Sequence, residues 1–205
     1  MSDKTIRNAV EEELDWEPSI DSEHIGVTVE DGVVTLSGHV GTYAEKFTAE
    51  KAAKRVKGVR AIAQEIEIRF PNDKKTSDDQ IAKRALDIIA WDSTIPKDKV
   101  LVKVQNGFVT LSGEVDWFYQ RDDAEHAVRK LAGIKGLSNE IRIKPKAYAY
   151  DIKERIETAL KRNAEFEADS IKVSVLDGRV TFDGKVKAWY ERDLAERTVW
   201  SAPGV

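Results

Sequence analysis

Short segments in which apolar and polar residues alternate come in pairs, and such a pair occurs three times along the chain. In the first pair, Val27 and Val29 precede the dipeptide Asp31-Gly32, and Val34 and Leu36 follow it. Alternating segments joined by Asp-Gly or Asn-Gly predict a β-hairpin, since a type I′ turn needs two residues that tolerate positive φ. In the register that this turn sets, Val29 pairs with Val34 and Val27 with Leu36, so all four share one face.

The turn and the second strand have nearly the same sequence in all three copies. The copies are Asp31-Gly-Val-Val-Thr-Leu-Ser-Gly-His-Val40, Asn106-Gly-Phe-Val-Thr-Leu-Ser-Gly-Glu-Val115 and Asp177-Gly-Arg-Val-Thr-Phe-Asp-Gly-Lys-Val186. The second copy follows the first after 75 positions, and the third follows the second after 71. Turn and bulge geometry is the predicted role of nine residues in these copies. They are Asp31, Gly32, Gly38, Asn106, Gly107, Gly113, Asp177, Gly178 and Gly184.

Apolar residues at helical spacing flank each hairpin. In the first copy, residues 4–16 predict one helix, and a second helix follows the hairpin and ends at Gly58. Capping-box sequences predict helix starts at Thr42-x-x-Glu45, Ser77-x-x-Gln80 and Asp151-x-x-Glu154. A third strand is predicted over residues 59–69. The unit is therefore αββαβ, in which the second helix crosses over right-handedly to a parallel third strand and both helices cover one sheet face.

These elements divide the chain into three α+β domains over residues 1–70, 76–146 and 149–205, with polar linkers between them. The third copy stops at Val205, before any residues that match the last strand of the other two copies. We therefore expect this domain to lack its last strand. The strand then belongs to residues beyond Val205, or another molecule supplies it.

The composition is that of an ordinary globular protein, with 34% charged and 41% hydrophobic residues and a formal net charge of -4. The slightly acidic balance argues against binding to nucleic acid, which favours a basic surface. The chain has no cysteine, so it forms no disulfide and no thiolate metal site. The N-terminal residues lack the apolar core of a signal peptide, which predicts a cytoplasmic location, or a periplasmic one if this chain is a processed form.

The thrice-repeated hairpin between two short amphipathic helices resembles the BON domain, which is named after bacterial osmotically inducible and nodulation proteins. The resemblance covers nearly the whole chain as three tandem copies. It implies an αββαβ fold, with two helices packed on one face of a three-stranded mixed sheet, and no catalytic activity. Characterised relatives attach to phospholipid surfaces of the bacterial envelope in osmotic stress, and another relative binds potassium in the cytoplasm.

Aromatic residues cluster where the second helix of each copy begins. One column is aromatic in every copy (Tyr43, Phe118 and Trp189), which predicts packing onto the sheet. Trp117 and Tyr119 stand where at least one other copy has a small residue, so they are suited to form an interfacial patch; a contact between repeats is the alternative. The candidate residues for a lipid or partner surface are Trp117, Tyr119, Arg121, Trp189, Tyr190, Arg192 and Tyr43.

The residue types that carry chemistry form no catalytic or metal-binding pattern in the sequence. The histidines His24, His39 and His126 occupy unrelated repeat positions, without the spacing of metal ligands. The repeated glycines do not form a phosphate-binding loop. We therefore predict no enzyme activity, no metal site and no cofactor.

Two further pairs of apolar residues bear on possible surfaces. Trp16 and Trp91 stand at equivalent positions where the first helix ends, and we expect them to cover the edge of the core. Leu101 and Phe108 have the strand parity that faces away from the helices, which predicts an apolar patch that docks against another repeat or subunit.

The sequence predicts a non-enzymatic binding or scaffold protein. Its leading function is association with a phospholipid surface or an envelope-linked partner in osmotic or other stress. Cytoplasmic sensing of a small ligand or potassium is one alternative. The other is a protein–protein scaffold in which repeats or identical subunits pack against one another.

Overall fold

The computed structural model describes residues 2–70, 76–144, 152–162, 171–176, 179–186 and 189–202. Repeat 1 consists of α1 (Asp3–Asp15), β1 (Ile25–Glu30), β2 (Val33–Val40), α2 (Tyr43–Arg55) and β3 (Ala61–Ile68). Repeat 2 consists of α3 (Asp78–Trp91), β4 (Val100–Gln105), β5 (Phe108–Val115), α4 (Phe118–Arg129), β6 (Gly136–Asn139) and β7 (Arg142–Ile143). Repeat 3 consists of α5 (Ile152–Arg162), β8 (Ile171–Leu176), β9 (Arg179–Gly184) and α6 (Trp189–Trp200).

The hairpin of each repeat has the predicted register. Val27 pairs with Leu36 and Val29 with Val34, and the same antiparallel pairing joins β4 to β5 and β8 to β9. Asp31 and Gly32 have φ values of 50° and 76°, as a type I′ turn requires. Asp177 and Gly178, the predicted turn of repeat 3, lie outside the described residues. The sequence therefore predicts the first two turns correctly.

The central strand of repeats 1 and 2 pairs with strands on both sides. In repeat 1 the strand order is β1-β2-β3, with β2 and β3 parallel, so the predicted crossover through α2 is confirmed. In repeat 2 the last strand is interrupted, and β6 and β7 each pair in parallel with β5. Repeat 3 has the two-stranded sheet β8-β9 among its described residues. The α+β fold class predicted from the sequence is therefore confirmed.

Each repeat has its own apolar core between its helices and its sheet. The central leucine of the second strand, Leu36 in repeat 1 and Leu111 in repeat 2, is completely buried. The two helices of each repeat bury an equivalent pair of residues. In repeat 1 the valine is on the first helix, and in repeat 2 it is on the second helix. The pairs are Val10 with Ala53 in repeat 1 and Ala85 with Val128 in repeat 2. Because each pair holds one valine and one alanine, the total side-chain volume stays the same.

The helix starts follow the predicted capping boxes only in part. Thr42 accepts a hydrogen bond from the Glu45 backbone N–H at 3.1 Å, and the Glu45 carboxylate accepts one from Gly41 at 2.9 Å, which confirms that box. Ser77 stands at the N-cap of α3, but its side chain makes no hydrogen bond to the helix backbone, so that box is wrong. The Ser77 hydroxyl instead bonds Asp79, and this bond lowers the pKa of Asp79. Asp151 lies outside the described residues.

The glycine near the end of the second strand is required by a close approach of the first strand. A Cβ atom on Gly38 would lie 2.0 Å from the His24 carbonyl oxygen, and one on Gly113 would lie 2.0 Å from the equivalent oxygen of Lys99. Both glycines also have positive φ values, 104° and 126°. The antiparallel register of each hairpin ends at this glycine, paired with Ile25 in repeat 1 and with Val100 in repeat 2, so the bulge stays a prediction and the close approach explains the glycine.

Candidate functional site

The aromatic residue that begins α2 reaches out of its own repeat. Tyr43 packs against the apolar core of repeat 2, and burial there raises the pKa of the Tyr43 phenol, although a backbone hydrogen bond from Leu137 opposes the shift. One turn further along α2, the Phe47 ring lies 3.5 Å from the Arg129 guanidinium of repeat 2. The side chain of Arg129 is 10% exposed and bonds Glu125. Repeat 1 therefore contacts repeat 2 through a largely desolvated cation–π pair.

The equivalent residues of α4 and α6 make equivalent contacts. Phe118, at the start of α4, stacks on Trp200 of repeat 3, with ring centroids 5.4 Å apart and planes inclined by 7°. Trp189, at the start of α6, donates its indole N–H to the Arg60 carbonyl oxygen of repeat 1 at 3.1 Å. The Lys54 ammonium of repeat 1 lies 5.5 Å from the Trp189 ring centroid.

These three junctions follow one rule. In each of them, the first residue of a second helix contacts the next repeat, and the order runs from repeat 1 to 2, from 2 to 3, and from 3 back to 1. The partner positions near the helix C-termini are also equivalent; they are Arg129, Trp200 and Lys54. The repeats therefore contact one another in a closed ring, repeat 1 with repeat 2, repeat 2 with repeat 3 and repeat 3 with repeat 1. The prediction that this aromatic column packs onto its own sheet is wrong, because the column joins neighbouring repeats.

The other residues of the predicted patch do not gather into one surface. Arg121 donates a hydrogen bond to the Asn139 carbonyl oxygen at 3.2 Å, and its guanidinium lies 6.0 Å from the Phe118 ring. Both contacts lie within repeat 2, where the hydrogen bond joins α4 to the last strand. Arg192 is exposed and pairs with Glu196 at 3.0 Å on its own helix. Tyr119 is 51% exposed, and its neighbour Trp117 is half-buried at the N-cap of α4.

The side chain of Tyr190 lies outside the described part of the chain. Of the predicted set, Trp117, Tyr119, Tyr190 and Arg192 stay a prediction for binding. Tyr43, Trp189 and Arg121 have structural contacts that account for them.

The two tryptophans at the ends of the first helices are exposed. Trp16 is 85% accessible to solvent and Trp91 is 89% accessible, so the prediction that they cover the edge of the core is wrong. Each stands where its helix ends, beyond the last residue that faces the sheet. Tryptophan is largely buried on average in folded proteins, so exposure of this residue type at equivalent positions of two repeats is unusual.

The open face of the sheet in repeat 2 carries the predicted apolar residues. Leu101 is 64% exposed and Phe108 is 58% exposed. The Phe108 ring lies over Gly136, its register partner on β6, where an added Cβ atom would come within 2.6 Å of the ring. Phe108 therefore covers a glycine of its own sheet. The predicted docking of this face against another repeat or subunit stays a prediction.

An acidic residue at the start of the first helix fastens the hairpin turn, and sequence analysis missed it. The Asp3 carboxylate accepts hydrogen bonds from the backbone N–H groups of Asp31 and Gly32, at 2.9 and 3.0 Å. Asp78 does the same for Asn106 and Gly107 in repeat 2, at 2.7 and 2.9 Å. The signal was present, because Asp3 and Asp78 are separated by the repeat offset of 75 residues.

A groove of about 660 Å³ lies between β9 and α6 of repeat 3. Its apolar lining includes Val180, Phe182 and Ala195, which belong to or pack against the core of that repeat.

Two histidines that are far apart in the sequence meet in repeat 1. The rings of His24 and His39 have centroids 4.5 Å apart and are inclined by 62°. Partial desolvation, together with the charges of Arg69 and His24, lowers the pKa of His39. The two histidines occupy non-equivalent repeat positions, as the sequence indicates, and the approach of the two strands brings them together. His126 stands apart on α4, beside Asp122.

Comparison with known proteins gives one family and one curated relative. The family model for the BON domain matches residues 2–69, 77–145 and 150–205. The chain is 32% identical over 153 residues to "Osmotically-inducible protein Y" of Escherichia coli strain K12, covering 70% of this chain and 74% of that protein.

Solved structures similar to this chain include CdsD, a structural protein of the type III secretion system of Chlamydia trachomatis. Its C-terminal domain matches with a TM-score of 0.30 and 15% identity, over 71% of this chain and 68% of that one. A second CdsD structure gives 0.27 and 13%, over 97% and 86%. These scores are too low to support an inference about this chain.

Among the described residues, no helix is long and apolar enough to cross a membrane. The family model covers most of the chain in three segments, and each segment contains the helix–hairpin–helix arrangement described above. The chain therefore belongs to the BON family and carries three copies of its domain in tandem.

Proposed function

We propose that this chain is a non-enzymatic binding protein that attaches to a phospholipid surface as part of an osmotic stress response. Membership in the BON family supports a binding role. The name of the Escherichia coli relative, which describes it as osmotically inducible, supports the physiological setting. The observation that carries the proposal is the exposure of Trp16 and Trp91 at equivalent positions.

The chemistry of tryptophan suits this role. Its ring system is large and apolar, and its indole N–H remains free to bond water or a lipid headgroup at the boundary of a bilayer. Trp16 and Trp91 each end a helix, so the ring can enter the interface while the repeat stays outside it. Transfer of these rings from water to the interface supplies the free energy of attachment.

The ring arrangement determines where these residues lie. Because the three junctions use equivalent positions, we infer that Trp16 and Trp91 lie on the same side of the ring. The equivalent residue of repeat 3 is Arg162, the last residue of α5, which is exposed. Two tryptophans and one arginine on the same side combine apolar anchors with a cation for the phosphate groups of lipids.

Flotation with lipid vesicles tests the proposal. The complete chain is mixed with vesicles of phosphatidylcholine, or of phosphatidylcholine and phosphatidylglycerol, at low and at physiological salt. We expect the parent chain to float and the Trp16→Ser/Trp91→Ser variant to stay at the bottom. Leu86→Ser is the matched control, because Leu86 is 50% exposed on the same helix as Trp91 but five positions earlier, which turns it by about 140°.

Other outcomes separate the remaining hypotheses. Failure of the parent chain to float at low salt, where electrostatic attraction is strongest, would overturn the lipid proposal. Flotation that survives in the Trp16→Ser/Trp91→Ser variant but is lost in Trp117→Ser/Tyr119→Ser would move the lipid surface to the start of α4 and contradict the assignment made here.

A further inference from the structure

The contact between His24 and His39 follows from the hairpin register. Ile25 pairs with Gly38, so residues 24 and 39 face each other one step beyond this pair. His39 has the strand parity that faces away from the helices, and His24 ends the short 3₁₀ segment directly before β1. The absence of a Cβ atom on Gly38 lets the backbone of His24 approach closely, and the imidazole rings come within 4.5 Å of each other.

Two carboxylates lie beside His24. Asp21 caps the short 3₁₀ segment that leads into β1 and Glu23 belongs to that segment, and the Asp21 carboxylate accepts a hydrogen bond from the Glu23 backbone N–H at 3.4 Å. The potential ligand atoms of Asp21, Glu23 and His24 all lie within 4.8 Å of one another. His39 adds a second imidazole from the opposite strand.

The chemistry of this set of donors selects a class of cation. Two imidazole nitrogens and two carboxylate oxygens suit zinc and its neighbours among the divalent transition metals, whereas calcium and magnesium prefer oxygen ligands alone. We propose that Asp21, Glu23, His24 and His39 form a surface site for a divalent transition cation, with Zn²⁺ as the probe ion.

The fold of a BON repeat does not need these residues. At the equivalent positions of repeat 2, Lys99 replaces His24, Glu114 replaces His39 and Pro96 replaces Asp21, although the hairpin has the same register. The cluster is therefore a property of repeat 1 and not a structural requirement of the domain.

The charges around the site leave it open to a cation. Glu67 is the register partner of His39 on β3, and its carboxylate pairs with Arg69 at 3.5 Å. The Glu67 carboxylate therefore offsets part of the positive charge that Arg69 brings near His39. The three residues before β1 that contribute ligands are all exposed to solvent, so a hydrated ion can reach them without any movement of the core.

The experiment measures zinc binding to the complete chain, prepared without a histidine tag and stripped with a chelator. Calorimetry gives the affinity, and the NMR signals of the three imidazoles show which of them respond. We expect saturable binding of one Zn²⁺ that shifts His24 and His39 and leaves His126 in place. His126 is a control within the same molecule, since it lies beside a single carboxylate, Asp122, at 3.5 Å.

Two substitutions remove the imidazole ligands by introducing the residue that another repeat has at the equivalent position. His24→Lys uses the residue of repeat 2, and His39→Lys uses Lys185 of repeat 3. Each is expected to weaken zinc binding by about tenfold or more, while His126→Ala leaves the affinity unchanged. Zinc binding that persists in the His24→Lys/His39→Lys variant, or shifts of equal size at all three histidines, would overturn the proposal.

Discussion

Repeats 1 and 2 have the same internal construction and different surfaces. In both, an aspartate at the start of the first helix holds the hairpin turn, and a glycine near the end of the second strand makes room for a backbone carbonyl. On the surface, repeat 1 has the pair His24 and His39 where repeat 2 has Lys99 and Glu114. The shared contacts fix the backbone conformation of the repeat. The surface residues that differ allow each repeat to have its own binding function.

The junctions between repeats show the same division. An i,i+4 ion pair stands near the C-terminus of both second helices, as Lys54 with Glu50 and as Arg129 with Glu125. The first is partly exposed, and its cation lies 5.5 Å from an aromatic ring, while the second is nearly buried, and its cation lies 3.5 Å from one. Equivalent positions therefore contribute unequally to the ring.

The largest effect is expected from the glycines that both repeats need. Gly38→Ala and Gly113→Ala each place a Cβ atom 2.0 Å from a carbonyl oxygen, at a φ value that disfavours side chains. We expect each to lower the free energy of unfolding by about 3 kcal/mol or more, as measured by urea denaturation. Hydrogen exchange should locate the loss in the repeat that carries the substitution.

Gly26→Ala provides the control for that experiment. A Cβ atom there would meet only the Ser37 hydroxyl oxygen, at 2.9 Å, and repeat 2 has Leu101 at the equivalent position. A small effect is therefore expected. Equal losses from Gly26→Ala and Gly38→Ala would show that the close approach of the strands is not what requires Gly38.

A smaller effect separates the two cations at the junctions. Arg129→Ala removes the cation from the Phe47 ring and leaves Glu125 without its partner, so we expect a loss of about 2 kcal/mol in the free energy of unfolding. Lys54→Ala should cost less than about 1 kcal/mol, since exposed ion pairs contribute little. Urea denaturation of both variants checks the difference. Equal losses would contradict the view that burial decides how much a junction contributes.

The fold was predictable because its main signals are local. Alternation of apolar residues, the Asp-Gly dipeptide and the cap at Thr42 each depend on neighbours in sequence, and the structure has all of them. The junctions were not predictable, because the partners of Tyr43 and Trp189 depend on how whole repeats are oriented against one another.

The candidate sites show where a better use of the sequence was possible. The predicted hairpin register brings residues 24 and 39 together at the end of the hairpin. The spacing of the histidines along the chain does not show this, because the two residues meet across the strands. The exposure of Trp16 was also open to prediction. At about 100° per residue, Trp16 lies about 120° around α1 from the buried face of Ile6, Val10 and Leu14, so its position already turns it away from the core.

The smallest effect concerns a carboxylate that follows the first helix in both repeats. A hydrogen bond from Ser19 holds the pKa of Glu17 below its ordinary value, with Arg55 as a further cause. Hydrogen bonds from the side chain and backbone of Thr94 lower the pKa of Asp92 at the equivalent position. Because the pKa is lower in the folded state, each carboxylate adds stability above its unfolded pKa, near 4.5 for Glu17 and 3.8 for Asp92, and this is lost as the pH falls through the folded value.

Removal of the hydroxyl groups distinguishes the two carboxylates. We expect Ser19→Ala to raise the pKa of Glu17 and Thr94→Val to raise that of Asp92, as followed by NMR titration of the carboxyl carbons. In Ser19→Ala the charge of Arg55 still lowers the pKa of Glu17, so added salt should raise that pKa further. In Thr94→Val the cause that remains is a backbone hydrogen bond, which salt screens much less. An equal response to salt in both variants would show that Arg55 does not distinguish the two positions.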